Sequence, residues 1–241
     1  MPFSRLGASD EHWAWMEEGN DALEKLRAKQ LPDVRPVGEA GISKGVWLIR
    51  GLQQTLLYRT VMLADGCILG WNGRHPLAAL LSARALIETA AVVWDLQRQY
   101  SRLIDHKDFK AIYDLTLNRA HATKNEEWLK EGAGVAAVNV LTLLSKLESE
   151  IPFVNKLYAQ LSEFCHPNYC GHRLLFAQLD TSTGILTFGK DIWLGRGILV
   201  DMLTSFSLVG FTDLWLTKID EQMPKIFELS EASRLNGPGD G

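Results

Sequence analysis

Residues 77–94 read LAALLSARALIETAAVVW, and the choice between a membrane span and a core helix here decides the fold. The stretch is close to the roughly 20 apolar residues that cross a bilayer. It also contains Arg84 and Glu88. A charge near the centre of a spanning helix costs roughly 2.5 to 3.5 kcal/mol, so two of them argue for a buried core helix. The same reasoning applies to 198–216, which carries Asp201 and Asp213. Two such helices in one chain predict an all-α protein built around one large hydrophobic core.

Working outward, WNGRHP precedes the first stretch, with an Asn72-Gly73 turn and Pro76 suited to a first helical turn. The helix it opens is expected to run to about residue 104. Upstream, Val46, Ile49, Leu52, Leu56, Leu57, Val61 and Leu63 recur near helical spacing, so 43–69 is a second long helix, with Ser43 able to cap it. The two form an antiparallel hairpin. Before them, 10–29 (DEHWAWMEEGNDALEKLRAK) opens acidic, with Asp10 as cap, and closes basic, the polarity a helix dipole favours. The proline- and glycine-containing LPDVRPVGEAG then lets this helix lie against the body as an arm.

Downstream, 108–129 is expected as a polar helix broken by Gly132 and Gly134, and 135–150 as an apolar one stopped at Pro152. The next helix carries Val154, Leu157, Tyr158, Leu161, Phe164 and Cys165 on its stripe and ends at His166, because Pro167 disfavours further helix. RLLFAQLDTSTGILTFGK gives the one β signal, a small hairpin near 173–189. A last apolar helix is expected over 192–219, with a short one over 221–231. The division is therefore 1–42 as N-terminal helix and connector, 43–231 as helical bundle, and 232–241 as tail. Trp193 and Trp215 beside an all-round apolar helix need cover from the bundle or from a second subunit, which makes a homodimer an expectation.

With 46% hydrophobic residues in 241, the chain can bury a sizeable core. A net charge of −4 removes bulk basicity as an argument for nucleic acid, so such binding would need a local patch. Three cysteines, Cys67, Cys165 and Cys170, and an opening without an apolar signal core lead to the expectation of reduced thiols in the cytoplasm. The sequence lacks a Gly-rich phosphate loop, a Gly-x-Ser-x-Gly elbow and a His-Glu-x-x-His, which removes the usual support for nucleotide hydrolysis, esterase and metalloprotease classes.

Arg84 and Glu88 stand four residues apart on one helix face, expected as a buried pair. Because the Arg precedes the Glu, simple helix stabilisation explains the pair poorly. Ser162 and His166 are likewise four apart and can face them. A histidine in the last turn of a helix, beside a carboxylate such as Glu88, has its charged form favoured and can donate a proton. The alternative is an architectural cluster in which His166 caps the helix and bonds Glu88. Asn168 and Tyr169 follow in a turn, and Ser162 and Asn168 are the candidate binding residues. Cys165, His166, Cys170 and His172 crowd into eight residues, whereas zinc sites draw pairs from separated segments, so neither metal nor cofactor is assigned. Arg119, His121 and Lys124 are read as a solvated face.

The pairing of HPLAALLSARALIE with YAQLSEFCHPN resembles a family of bacterial helical proteins of unknown function, itself similar to the HEPN superfamily of helical bundles. The resemblance spans about 71–188. It implies phage-defence or toxin–antitoxin settings, RNA, nucleotide or protein partners, and dimers. Ribonucleases of that superfamily carry an Arg, a polar residue and a His close together on one helix end. Here a formal match, Arg5 with His12, lies in the N-terminal arm, and no Arg precedes His166 at that distance. The leading expectation is thus a HEPN-like binding or degenerate module. Its rivals are a metal-independent ribonuclease-like toxin using His166 as acid, Arg84 on the phosphate and Glu88 to orient His166, and a purely structural dimer.

Overall fold

In the computed structural model, residues 1–5, 8–36, 44–195 and 197–236 are described, and 72% of the chain is helical, which makes it an all-α bundle. Helix α1 (Asp10–Arg27) is capped by Ser9, whose side chain accepts from the His12 N–H; Asp10, expected as the cap, is the first helical residue. The extended backbone of Ser9 aims its Oγ at the open end of the helix, as a cap requires. Met16, Leu23 and Leu26 bury the inner face of α1. Arg27 then grips Asp65 with Nη2 2.8 Å from Oδ1, and Lys29 donates to Asp213 and to Thr217, so the arm is fastened to the bundle. Ser43 and residues 37–41 of the glycine-containing connector lie outside the described residues.

Helices α2 (Lys44–Asn72) and α3 (Pro76–Asp105) form the expected hairpin. They approach closely because two glycines of α2 face small residues of α3. A Cβ on Gly70 would sit 2.6 Å from the Ala79 nitrogen, and one on Gly66 would sit 2.5 Å from Ser82 Oγ. In the connecting turn the left-handed residue is Arg74, at φ 57°, rather than Gly73. Ala83, Leu86, Ile87, Ala90, Ala91 and Val93 of α3 are fully buried, and α3 touches nearly every other helix. Each large apolar side chain so buried contributes roughly 1.5 to 3 kcal/mol. The spans Pro76–Asp105 and Ile198–Leu235 are long and apolar enough to cross a membrane; about half of each one's apolar window, 56% and 50%, is buried in the bundle.

The polar middle departs from expectation. In place of one helix over 108–129 there are α4 (Phe109–Ala120), a two-residue strand β1 (Ala122–Thr123) and a short α5 (Glu126–Lys130). Strand β2 (Val135–Ala136) pairs with β1 in parallel, and α6 (Val140–Leu147) starts five residues later than the apolar pattern suggests. Asparagine caps redraw these boundaries. Asn125 Oδ1 accepts from the Glu127 and Trp128 N–H groups, and Asn139 Oδ1 from that of Leu141, so each starts a new helix where periodicity alone continued an old one.

Helix α7 (Val154–Cys165) ends where Pro167 requires, with His166 in an extended conformation at ψ 151°. A π-helical turn (Tyr169–Leu174) then leads into an antiparallel hairpin, β3 (Ala177–Leu179) with β4 (Leu186–Phe188), shorter than the expected 173–189. Asp180 organises its loop: Oδ1 accepts from Ser182 Oγ at 2.6 Å and Oδ2 from Thr183 Oγ1 at 2.7 Å. These bonds hold the Asp180 carboxyl at about 2, below its ordinary 3.8. A depressed carboxyl pKa contributes stability that is present above the ordinary value and lost as pH falls through the folded one. The loop should therefore loosen between pH 3.8 and about 2, seen as a shift of the Ser182 amide resonance. A midpoint at the unperturbed carboxyl value would refute this.

The C-terminal part is segmented differently from expectation. A 3₁₀ turn (Ile192–Gly195) precedes α8 (Ile198–Phe206), which Gly197 starts at φ 71°, and α9 (Leu208–Asn236) follows directly. The break falls near Ser207 and not near 220, since Pro224 forfeits one backbone bond without ending α9. Residues 232–236, expected in the tail, are helical. Trp193 and Trp215 are covered by the bundle of this one chain, leaving Phe211 and Leu214 as the exposed large apolar residues of α9's first turns.

Candidate functional site

Arg84 and Glu88 lie one turn apart on the side of α3 that meets α7. Expected as buried, each side chain is 30% exposed, because this side opens into a cleft of about 570 Å³. Arg84 Nε donates to Ser162 Oγ at 3.0 Å, and Nη2 to the Tyr158 hydroxyl at 2.7 Å. Tyr158 passes the interaction on, donating to Glu88 Oε1 at 2.8 Å, while Arg84 Nη2 stands 3.4 Å from that same oxygen. Ser162 Oγ donates in turn to the Tyr158 carbonyl, and the guanidinium lies 5.0 Å from the Tyr158 ring centroid. The spacing of Tyr158 and Ser162, one turn of α7, is what lets both meet one arginine.

Tyr158 is the member sequence reasoning missed. Its spacing places it in the apolar stripe of α7, and its ring does belong there; only the hydroxyl, one turn before Ser162, signals a polar role. Burial raises its pKa and the Glu88 bond raises it further, so the phenol stays protonated and can donate to the carboxylate. Burial works against the Arg84 charge, but Tyr158 and Glu88 outweigh it and raise the pKa. Neighbouring Cys165 is pushed up, first by burial.

His166 lines the same cleft from its exposed rim, and among the described residues its ring has no hydrogen-bond partner. The expected Glu88–His166 bond is not formed; Glu88 is engaged by Tyr158 and Arg84. Asn168 is not in the cleft lining. It donates to Glu163 Oε2 at 2.7 Å and accepts from the Gly171 N–H, capping the π-helical turn. Tyr169 points elsewhere as well, exposed under the Arg173 guanidinium. Arg5 pairs with Asp10 while His12 packs against Trp15, so the formal Arg5/His12 match stays in the arm.

Two further cations complete the cleft: Arg59, which the sequence does not mark, and Lys124, which it places on a solvated face. Arg59 of α2 is held by Thr89 Oγ1 at 3.0 Å, and Lys124 reaches in from the segment after β1. The amino end of α6, from Val138 to Leu141, forms another wall. Arg119, grouped with Lys124 as solvated, is instead 11% exposed and ion-paired with Asp95 at 6%. Among the described residues, no three His, Cys, Asp or Glu side chains assemble as a metal-ligand group. No protein-family model, curated protein or solved structure matches this chain.

Proposed function

We propose that this chain is a HEPN-like helical binding module whose α3–α7 cleft takes a phosphate-bearing ligand, a nucleotide or an RNA segment. One observation carries the reading: Arg59, Arg84 and Lys124 converge on a cleft whose lining holds one carboxylate, Glu88, a formal +2 in a chain of −4. The amino end of α6 adds the positive end of a helix dipole. Arg84 is pre-positioned by Ser162 and Tyr158, so little side-chain freedom is lost when it grips a phosphate with its remaining donor edge.

Binding is favoured over catalysis because His166 has no partner to fix its ring, and general acid catalysis needs a positioned group. The test is titration of a short single-stranded RNA and of mononucleotides into the wild-type chain, Arg84→Gln and His166→Ala, each checked by thermal melting. Arg84→Gln should weaken binding about tenfold or more, roughly 1.4 kcal/mol, and flatten the salt dependence, while His166→Ala changes affinity little. Absence of binding at low salt would refute the proposal. Shortening of the RNA by wild type and not by His166→Ala would replace it with the ribonuclease-like reading.

A further inference from the structure

The polar stripe of α3 continues past the first cleft. Arg84, Glu88, Asp95, Gln99 and Arg102 follow one another at spacings of three, four or seven, which keeps them on one face. Arg98 comes ten residues after Glu88, about 15 Å further along the helix at 1.5 Å per residue. There a second cleft opens, about 720 Å³, lined by Arg98, Arg102 and Lys146, with Ser145, Ser149 and Trp94.

The charges in this cleft are uneven. Asp95, the one carboxylate in its lining, is already neutralised: Arg119 pairs with it and Gln99 Nε2 donates to it at 2.7 Å. Arg98 is steadied over the Trp94 ring at 5.1 Å and shares Glu150 at 3.2 Å across an exposed contact. Among the described residues, neither Arg102 nor Lys146 has an ion-pair or hydrogen-bond partner for its side chain. Lys146 sits in the last turn of α6, where it offsets the negative end of that helix. Two guanidinium groups, an ammonium and two serine hydroxyls around one opening match the many oxygens of a phosphate chain, which arginine forks hold two at a time.

We infer that the Arg98–Arg102–Lys146 cleft is a second anion site, separate from the Arg84 cleft, that binds a phosphate chain such as pyrophosphate or the polyphosphate tail of a nucleotide. Its volume falls within the range of small-molecule sites. The site does not depend on what the first cleft binds, and the test keeps the two apart.

Inorganic pyrophosphate is titrated calorimetrically, at about 50 mM salt so that screening is modest, into Arg84→Gln and into Arg84→Gln combined with Arg102→Ala and Lys146→Ala. The Arg84→Gln chain should still bind pyrophosphate. Removing Arg102 and Lys146 should weaken that binding tenfold or more while lowering the melting temperature by only a few degrees, since both are exposed and unpaired and lose only their favourable place at a helix end. Tripolyphosphate and ATP then identify the source: equal affinity marks an inorganic chain, tighter ATP a nucleotide. Failure of the Arg84→Gln chain to bind, or undiminished binding by the combined variant, overturns the second site. RNA binding by the first cleft is read separately and can fail or stand on its own.

Discussion

Asp95→Ala should cost about 3 to 5 kcal/mol, the typical loss when one partner of a buried ion pair is removed. Its Oδ2 takes the Arg119 guanidinium and Gln99 Nε2, and the two charged side chains are 6% and 11% exposed. Without the carboxylate, Arg119 keeps its charge among packed side chains, and its Nε is already a buried donor without a partner. For a chain of this size each kcal/mol moves the melting temperature by about 2 to 4 °C, so a fall of roughly 6 to 20 °C is expected. The double variant Asp95→Leu with Arg119→Leu should recover most of the loss, because no unpaired charge remains. Equal melting of Asp95→Ala and wild type would mean that Arg119 finds water instead. The contrast is Glu88→Gln at the candidate site: its pair is about a third exposed, and such pairs are worth at most about 1 kcal/mol. Stability thus rests more on Asp95 than on the Arg84–Glu88 pair of the candidate site.

That division was only half legible in the sequence. Arg84 and Glu88 stand out as charges among Ala, Leu and Ile, and the helix that carries them is periodic enough to place beforehand. Asp95 does not stand out because it follows Trp94, at the edge of the apolar run, although its seven-residue spacing from Glu88 puts it on the same face. Its partner, Arg119, reads in the sequence as part of a solvated face. Nothing local distinguishes a solvated arginine from one that α4 lays against α3; only the packed bundle does. Tyr158 was hidden differently, since a tyrosine in an apolar stripe satisfies the helical pattern whether or not its hydroxyl is used. Arg59 and Lys124 come from segments 65 residues apart, and no spacing rule joins them. Helix boundaries in 120–140 were missed because one asparagine cap outweighs a continuing apolar period.

Gly171→Ala should cost about 2 to 4 kcal/mol and disturb the candidate site from outside it. A Cβ at this position would lie 1.8 Å from the His166 carbonyl oxygen and 2.8 Å from that of Phe164. Both are backbone atoms at the end of α7, so no side-chain rotation relieves the clash; the π-helical turn must move away from the helix end. Moving it stretches the Asn168 cap, whose Oδ1 accepts from the Gly171 N–H at 2.9 Å. Overpacking alone costs about 1 to 3 kcal/mol, and loss of a cap about 1 more. The melting temperature should drop by roughly 4 to 16 °C. Gly210→Ala in α9, where a Cβ meets nothing within 4 Å, should instead be neutral or stabilising by up to about 1 kcal/mol. His166 gives the second readout: its ring resonances should shift in Gly171→Ala and stay in place in Gly210→Ala. Unmoved resonances together with wild-type melting would show that the turn does not press on the helix end. The expected outcome makes Gly171, and not Pro167 alone, responsible for where His166 stands on the rim of the cleft.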